Sequence, residues 1–155
     1  QFKITLRSGE SASHRIMKMI PTGEVRLPLE GGMPIIAVRD LTAHALVAAE
    51  RLAGRGVDVR VIDCHTLKPL DVKSVLQAAE ETGAIVTAEN NIFFGGLGSA
   101  VAEVLVENHP VPMKRIGVRD TFAESGPYLD LLDKYGLSAR HIVTAVEEVL
   151  ERKKS

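Results

Sequence analysis

Gly95, Gly96, Gly98 and Ser99 stand between an apolar strand pattern and the start of a helix pattern. Glycine backbone at a helix start presents N–H groups that can hold a carboxylate or a phosphate. It also lets one stretch of chain pass very close to another. The run Gly95-Gly96-Leu97-Gly98 is not the G-x-G-x-x-G dinucleotide fingerprint, and no lysine follows it as in a phosphate-binding P-loop. Nothing basic stands beside the loop in the sequence. Close packing is the favoured reading, with anion binding the alternative.

Cys64-His65 is the other pair that could do chemistry, as a thiol nucleophile beside its base. Adjacent residues in extended chain point to opposite sides, which favours a structural cysteine and a hydrogen-bonded histidine. The five histidines have no metal-ligand spacing and the single cysteine gives no zinc site, so no metal is expected. Glu124 and Ser125 follow an apolar strand pattern. Ser125 is outside any G-x-S-x-G elbow, so both are read as shaping the loop. In Lys68-Pro69-Leu70-Asp71, Pro69 sets φ and Asp71 favours a first helical turn. No nucleophile, base and oxyanion hole come together, and no catalytic residue is expected.

These residues hang on a repeating pattern. Ile35-Ile36-Ala37-Val38 reads as a strand buried on both faces. Asp40 or Thr42 can cap the helix after it, whose apolar face is Leu41, Ala45, Ala48, Ala49 and Leu52. A strand over 57–62 precedes a helix that starts at Pro69-Leu70-Asp71 and buries Val72, Val75, Leu76 and Ala79. A strand over 84–88 leads into the glycine loop and a helix carrying Leu97, Val101, Val104 and Leu105. A last strand over 113–118 is followed by helices near 128–134 and from about 138. Such alternation predicts an α/β fold: a mostly parallel twisted sheet of about five strands with helices on both faces.

The 155 residues suit one domain, with a net charge of −1 and signs well mixed. Neither nucleic acid nor an anionic membrane is expected as a partner. One cysteine suits a reducing compartment, so a cytoplasmic location is expected. The chain opens on an alternating strand pattern at Phe2–Arg7, which reads as a piece of something longer. Residues 8–33, rich in glycine and proline, read as a connecting arm with a short strand at Met17–Ile20.

Several segments, in order, resemble the C-terminal domain of transketolase. They are Thr66-Leu67-Lys68-Pro69-Leu70-Asp71, the stretch 84–91, Gly95-Gly96-Leu97-Gly98-Ser99-Ala100-Val101 and Phe122-Ala123-Glu124-Ser125-Gly126. Leu131-Leu132-Asp133-Lys134-Tyr135-Gly136-Leu137 and the final helix extend the match, which runs from about Pro34 to Leu150. Deoxyxylulose-phosphate synthase and 2-oxo acid dehydrogenase beta subunits end in a related domain. The Lys114–Val118 stretch and the F-x-E-S loop look most like transketolase, especially forms split into two subunits. The chain departs from the family at Arg39-Asp40-Leu41, where small residues are common, and at Asn90, where a histidine often stands.

The resemblance implies a boundary. Residues 1–33 would end the preceding pyrimidine-binding domain and its arm, and 34–155 would form the C-terminal domain. It also implies a substrate contact, because Ile4-Thr5-Leu6-Arg7-Ser8-Gly9 resembles the end of the pyrimidine-binding domain. There Arg7 would meet sugar-phosphate oxygens through paired hydrogen bonds. Transketolase moves a two-carbon ketol unit between sugar phosphates using thiamine diphosphate and a divalent metal such as Mg. The family holds both outside this segment, so neither is expected on this chain alone. The implied role is structural, with the N-terminal and pyrimidine-binding parts as partners in a homodimer. The alternatives are the same domain in a related thiamine-diphosphate enzyme, or an independent anion-binding regulatory module.

Overall fold

The computed structural model of the chain describes residues 32–154. The strand read at Phe2–Arg7, Arg7 itself and the connecting arm up to residue 31 lie outside the described residues, and Met33, read as the end of that arm, is the first residue of a strand. Four strands, β1 (Met33–Ala37), β2 (Val59–Asp63), β3 (Ile85–Ile92) and β4 (Met113–Val118), form one parallel sheet in the order β2-β1-β3-β4. About five strands were expected, and four are found among the described residues.

The centre of the sheet explains itself. All five residues of β1 are buried, because it pairs with β2 on one side and β3 on the other and helices cover both faces. Ile35, Ala37, Val59, Val61, Val86 and Ala88 pack against α1 (Leu41–Ala53) and α5 (Ala139–Lys154). Ile36, Ile62 and Ile85 pack on the other face, against α2 (Val72–Thr82) and α3 (Leu97–Asn108). Ile35, Ile36 and Ile85 are almost wholly buried, each contributing about 2 kcal/mol by removal from water. The short α4 (Tyr128–Lys134) adds Leu132 to the α1–α5 side.

Helix α1 buries the face expected of it: Leu41, Ala45, Ala48, Ala49 and Leu52. Its start differs from expectation. Asp40 occupies the N-cap but makes no capping bond, and the Thr42 hydroxyl donates to Asp63 Oδ1 at 2.9 Å instead. Helix α2 begins at Val72, later than Pro69. Asp71 is its N-cap, with Oδ1 accepting from the Ser74 N–H at 3.1 Å. A side-chain cap satisfies a donor that the helix cannot, which fixes the start at that residue. Val72 consequently stays exposed, and Ala78 and Thr82 take buried places.

Strand β1 feeds α1 on one face of the sheet, and β2 feeds α2 on the other. The chain therefore changes direction between β1 and β3, and their carboxyl ends form the switch point where doubly wound sheets place ligands.

Candidate functional site

The glycine loop lies beside that switch point, and its interior is filled by the protein itself. Strand β3 continues past Ala88, with a register irregularity before Ile92, so Glu89 is drawn inside and is only 1% exposed. Its carboxylate accepts from the Leu97 N–H at 2.9 Å and from the Gly98 N–H at 2.8 Å. These are first-turn donors of α3 that no carbonyl of the helix can reach. The positive end of the helix dipole adds to the attraction. The N–H groups an external anion would use are thus bonded to an internal one.

The glycines follow from that carboxylate. A Cβ on Gly96 would stand 2.7 Å from Glu89 Cδ, closer than any real contact. On Gly98 it would stand 2.7 Å from Arg115 Cδ and 3.0 Å from Thr87 Oγ1. Gly95 has φ +73°, a left-handed conformation that glycine takes without strain. Ser99 closes the loop, accepting from the Gly95 N–H at 3.0 Å and donating to the Phe93 carbonyl at 3.2 Å. Sequence proximity placed nothing basic here, yet β4 brings Arg115 across the loop. Its guanidinium lies 3.9 Å from the Phe93 ring centre, and Nη1 donates to Ser99 Oγ at 3.4 Å. Parallel pairing of β3 with β4 joins these residues, and spacing along the chain could not reveal it.

At the switch point itself, the two departures from the family pattern meet. Asn90 Nδ2 and the Tyr128 hydroxyl both donate to Asp40 Oδ2, at 3.5 and 3.3 Å. Burial and the neighbouring Asp40 charge raise the Tyr128 pKa. Arg39 has φ 55°, the left-handed region that small residues enter most easily. The left-handed turn here carries a cationic side chain.

Cys64 and His65 line a cleft of about 270 Å³ at the carboxyl end of β2, with Ile36, Ile62, Leu70 and Val75 as its apolar walls. Burial, followed by the charge of Asp63, pushes the Cys64 thiol up to about 11. A reactive cysteine needs a depressed value, so this thiol stays protonated and poorly nucleophilic at neutral pH. His65 Nδ1 bonds to the Thr66 hydroxyl. Glu124 and Ser125 sit in a fully exposed segment. The Glu124 N–H donates to the Tyr135 hydroxyl at 2.9 Å, and its carboxylate meets Lys134 Nζ at 2.6 Å. Nothing joins Glu124 or Ser125 to the glycine loop.

Glu89 lies within the stretch 84–91 and has no role assigned from sequence. The signal that identifies it is an acid at a strand end followed by a glycine-rich helix start, a ready-made carboxylate cap. Among the described residues no group of three acidic, histidine or cysteine side chains is placed to hold a metal ion, and no helix is long and apolar enough to cross a membrane.

Comparison with known proteins agrees with this architecture. A family model described as the transketolase C-terminal domain matches residues 32–142. A 6-deoxy-6-sulfo-D-fructose transketolase subunit, SqwH, of Clostridium sp. is 52% identical over 132 residues, covering 84% of this chain and 41% of that protein. A 1-deoxy-D-xylulose-5-phosphate synthase of Geobacter sulfurreducens is 41% identical over 140 residues, covering 88% of this chain and 22% of that protein. A solved structure described as a split-gene transketolase, inactive beta4 tetramer, superposes with a TM-score of 0.81 at 44% identity. It covers 88% of this chain and 45% of that one. The chain thus spans less than half the length of these relatives. With the family model matched across the whole sheet and the fold shared with a split-gene transketolase, the chain belongs to the transketolase C-terminal domain family.

Proposed function

We propose that this chain is the C-terminal part of a thiamine-diphosphate-dependent transketolase, of the kind divided between two polypeptides. In that enzyme it supports assembly and carries no catalytic group. Its partners are the N-terminal and pyrimidine-binding parts, in a cytoplasmic homodimer of the complete enzyme. The observation that carries the reading is Glu89. The helix start beside the switch point, where a ligand would bind, is bonded to the protein's own carboxylate. The raised pKa of Cys64 supports it further.

The described residues do not fit a diphosphate and its metal. The backbone donors of α3 are bonded to Glu89, and the acidic side chains do not converge in threes with histidine or cysteine. Cofactor chemistry is therefore assigned to the partner parts, with thiamine diphosphate and Mg bound there. The greater identity to the SqwH subunit than to the deoxyxylulose-phosphate synthase, 52% against 41%, favours the split-transketolase parent. Arg7 is the proposed substrate contact at the edge of the neighbouring domain.

Adding this chain to the upstream polypeptide, with thiamine diphosphate and Mg, tests the reading. Ketol transfer to ribose 5-phosphate is followed with two donors, xylulose 5-phosphate and 6-deoxy-6-sulfo-D-fructose. The second donor is the one named for the Clostridium relative. Activity that requires both polypeptides is the expected result, with Arg7→Ala raising KM for the phosphorylated donor about tenfold through loss of a charged hydrogen-bond pair. Full activity from the upstream polypeptide alone would defeat the assembly role.

A further inference from the structure

The cleft at the carboxyl end of β2 has no part in the assembly role. Its volume is about 270 Å³. That is just under the range of roughly 300–1,000 Å³ that takes drug-sized molecules, so its occupant is small. Ile36 and Ile62 from the sheet, Leu70 from the loop before α2 and Val75 from α2 itself give it apolar walls. Its charges are of one sign, because Asp63 and Asp71 line it and no lysine or arginine does. The His65 imidazole is the one basic group in the lining, and its Nδ1 is bonded to the Thr66 hydroxyl.

The two carboxylates differ in how far they are already engaged. Asp71 bonds the Ser74 N–H and hydroxyl, at the positive end of α2, which offsets its charge. Asp63 is held by the Thr42 hydroxyl on Oδ1 at 2.9 Å. Among the described residues no ion pair neutralises it. The field of these acids reaches into the cleft. After burial, the charge of Asp63 and more weakly that of Asp71 push the Cys64 thiol up to about 11.

We infer that the cleft is a binding site for a small aliphatic ammonium ion, its chain against the apolar walls and its charge beside Asp63. Burial of the chain supplies attraction, and the carboxylate supplies selectivity. A phosphate or carboxylate ligand would meet two acids of its own sign. A neutral apolar ligand would strip water from Asp63 and give nothing in return. A protein surface fits less well, because the most exposed large apolar side chains, Phe94, Val106, Phe122 and Leu129, lie on other elements.

Titration of the isotope-labelled full chain with butylammonium and hexylammonium, followed by amide NMR, tests the site. Shifts should concentrate at Cys64, Leu70 and Val75. Hexylammonium should bind more tightly than butylammonium, by up to about fourfold for each added methylene. Hexanoate should leave these amides unmoved, and hexanol should shift them only weakly. Asp63→Asn keeps an acceptor for Thr42 and removes the charge, so it should weaken hexylammonium binding about tenfold. Cys64→Leu, which takes up part of the volume, should weaken it as well. Should Asp63→Asn fail to fold, the comparison of hexylammonium with hexanol on the parent chain decides. Equal binding of hexanol or hexanoate and hexylammonium overturns the inference, as does an affinity that Asp63→Asn leaves unchanged. No shift at the cleft up to about 20 mM amine overturns it too. If the upstream polypeptide shifts the same three amides and displaces hexylammonium, the cleft belongs to that contact and the small-ligand site is wrong.

Discussion

The loops after β3 and β4 leave the same edge of the sheet from neighbouring parallel strands, and they end in opposite conditions. After β3 the chain turns inward. Gly96, Leu97 and Gly98 are buried, and the Glu89 carboxylate holds two of their N–H groups. After β4 the chain stays outside, and residues 119–130 are all exposed. What separates them is one acid in the right place. Glu89 gives the first loop an internal partner for donors that would otherwise need water or a ligand. The second loop is pinned by the Tyr135 hydroxyl and an exposed Lys134–Glu124 pair. An exposed ion pair of this kind is screened by solvent and contributes little.

The sharpest way to break the contrast is to push the carboxylate out of its seat. Gly96→Ala places a Cβ 2.7 Å from Glu89 Cδ, against a carboxylate that is 1% exposed and held by two N–H groups. Displacing Glu89 leaves two buried N–H donors without an acceptor. Each such loss costs about 1–3 kcal/mol, so the variant should lose about 3–5 kcal/mol of stability by chemical denaturation. Glu89→Gln tests the same seat without crowding it. The amide keeps one acceptor and turns an NH₂ toward a helix N–H, for a loss of about 2 kcal/mol. Unfolding midpoints unchanged in both variants would mean that the carboxylate is not what holds the loop.

Gly98→Ala should cost less. Its nearest obstacle is the methylene stem of Arg115, a flexible side chain that can withdraw, with Thr87 Oγ1 behind it. Better helix propensity at that position returns part of the strain. A net loss of about 1 kcal/mol is expected, with the Arg115–Phe93 contact loosened. A loss as large as that of Gly96→Ala would show that Arg115 is as fixed as Glu89, and the inward loop would then depend on two residues.

How far this contrast could be read in advance depends on the range of the forces involved. The four strands and the apolar face of α1 were legible, because side-chain periodicity reports which faces are buried. The end of β3 was not. Glu89-Asn90-Asn91 has no apolar pattern, and it remains in the strand because Glu89 finds donors on a helix that starts eight residues later. The α2 start moved from Pro69 to Asp71 for a local reason, since a capping carboxylate fixes a helix end more firmly than a preset φ. Arg115 beside Gly98, and Asn90 beside Asp40, are products of strand order. Neighbours across a parallel sheet are separated by a whole crossover, so nothing in the spacing announces them.

The outward loop offers the smallest effect, and a pH dependence of known sign. Asp133, at the end of α4, accepts from Arg140 Nε at 2.6 Å and from the Ser138 hydroxyl at 2.9 Å. The Arg140 hydrogen bond first, and the Ser138 bond second, hold its carboxyl below the usual range. A carboxyl with a lower pKa in the folded chain than in the unfolded one stabilises the fold above the ordinary value, about 3.9. That contribution is lost as pH falls through the lowered value. Asp133 is half exposed and its partner is solvated, so salt screens the pair. Asp133→Asn should therefore be slightly less stable than the parent at neutral pH, and the gap should close on acidification and in high salt. A gap that persisted in acid would mean that the side chain works through packing, and the exposed segment would then be anchored more like the loop after β3 than its charges indicate.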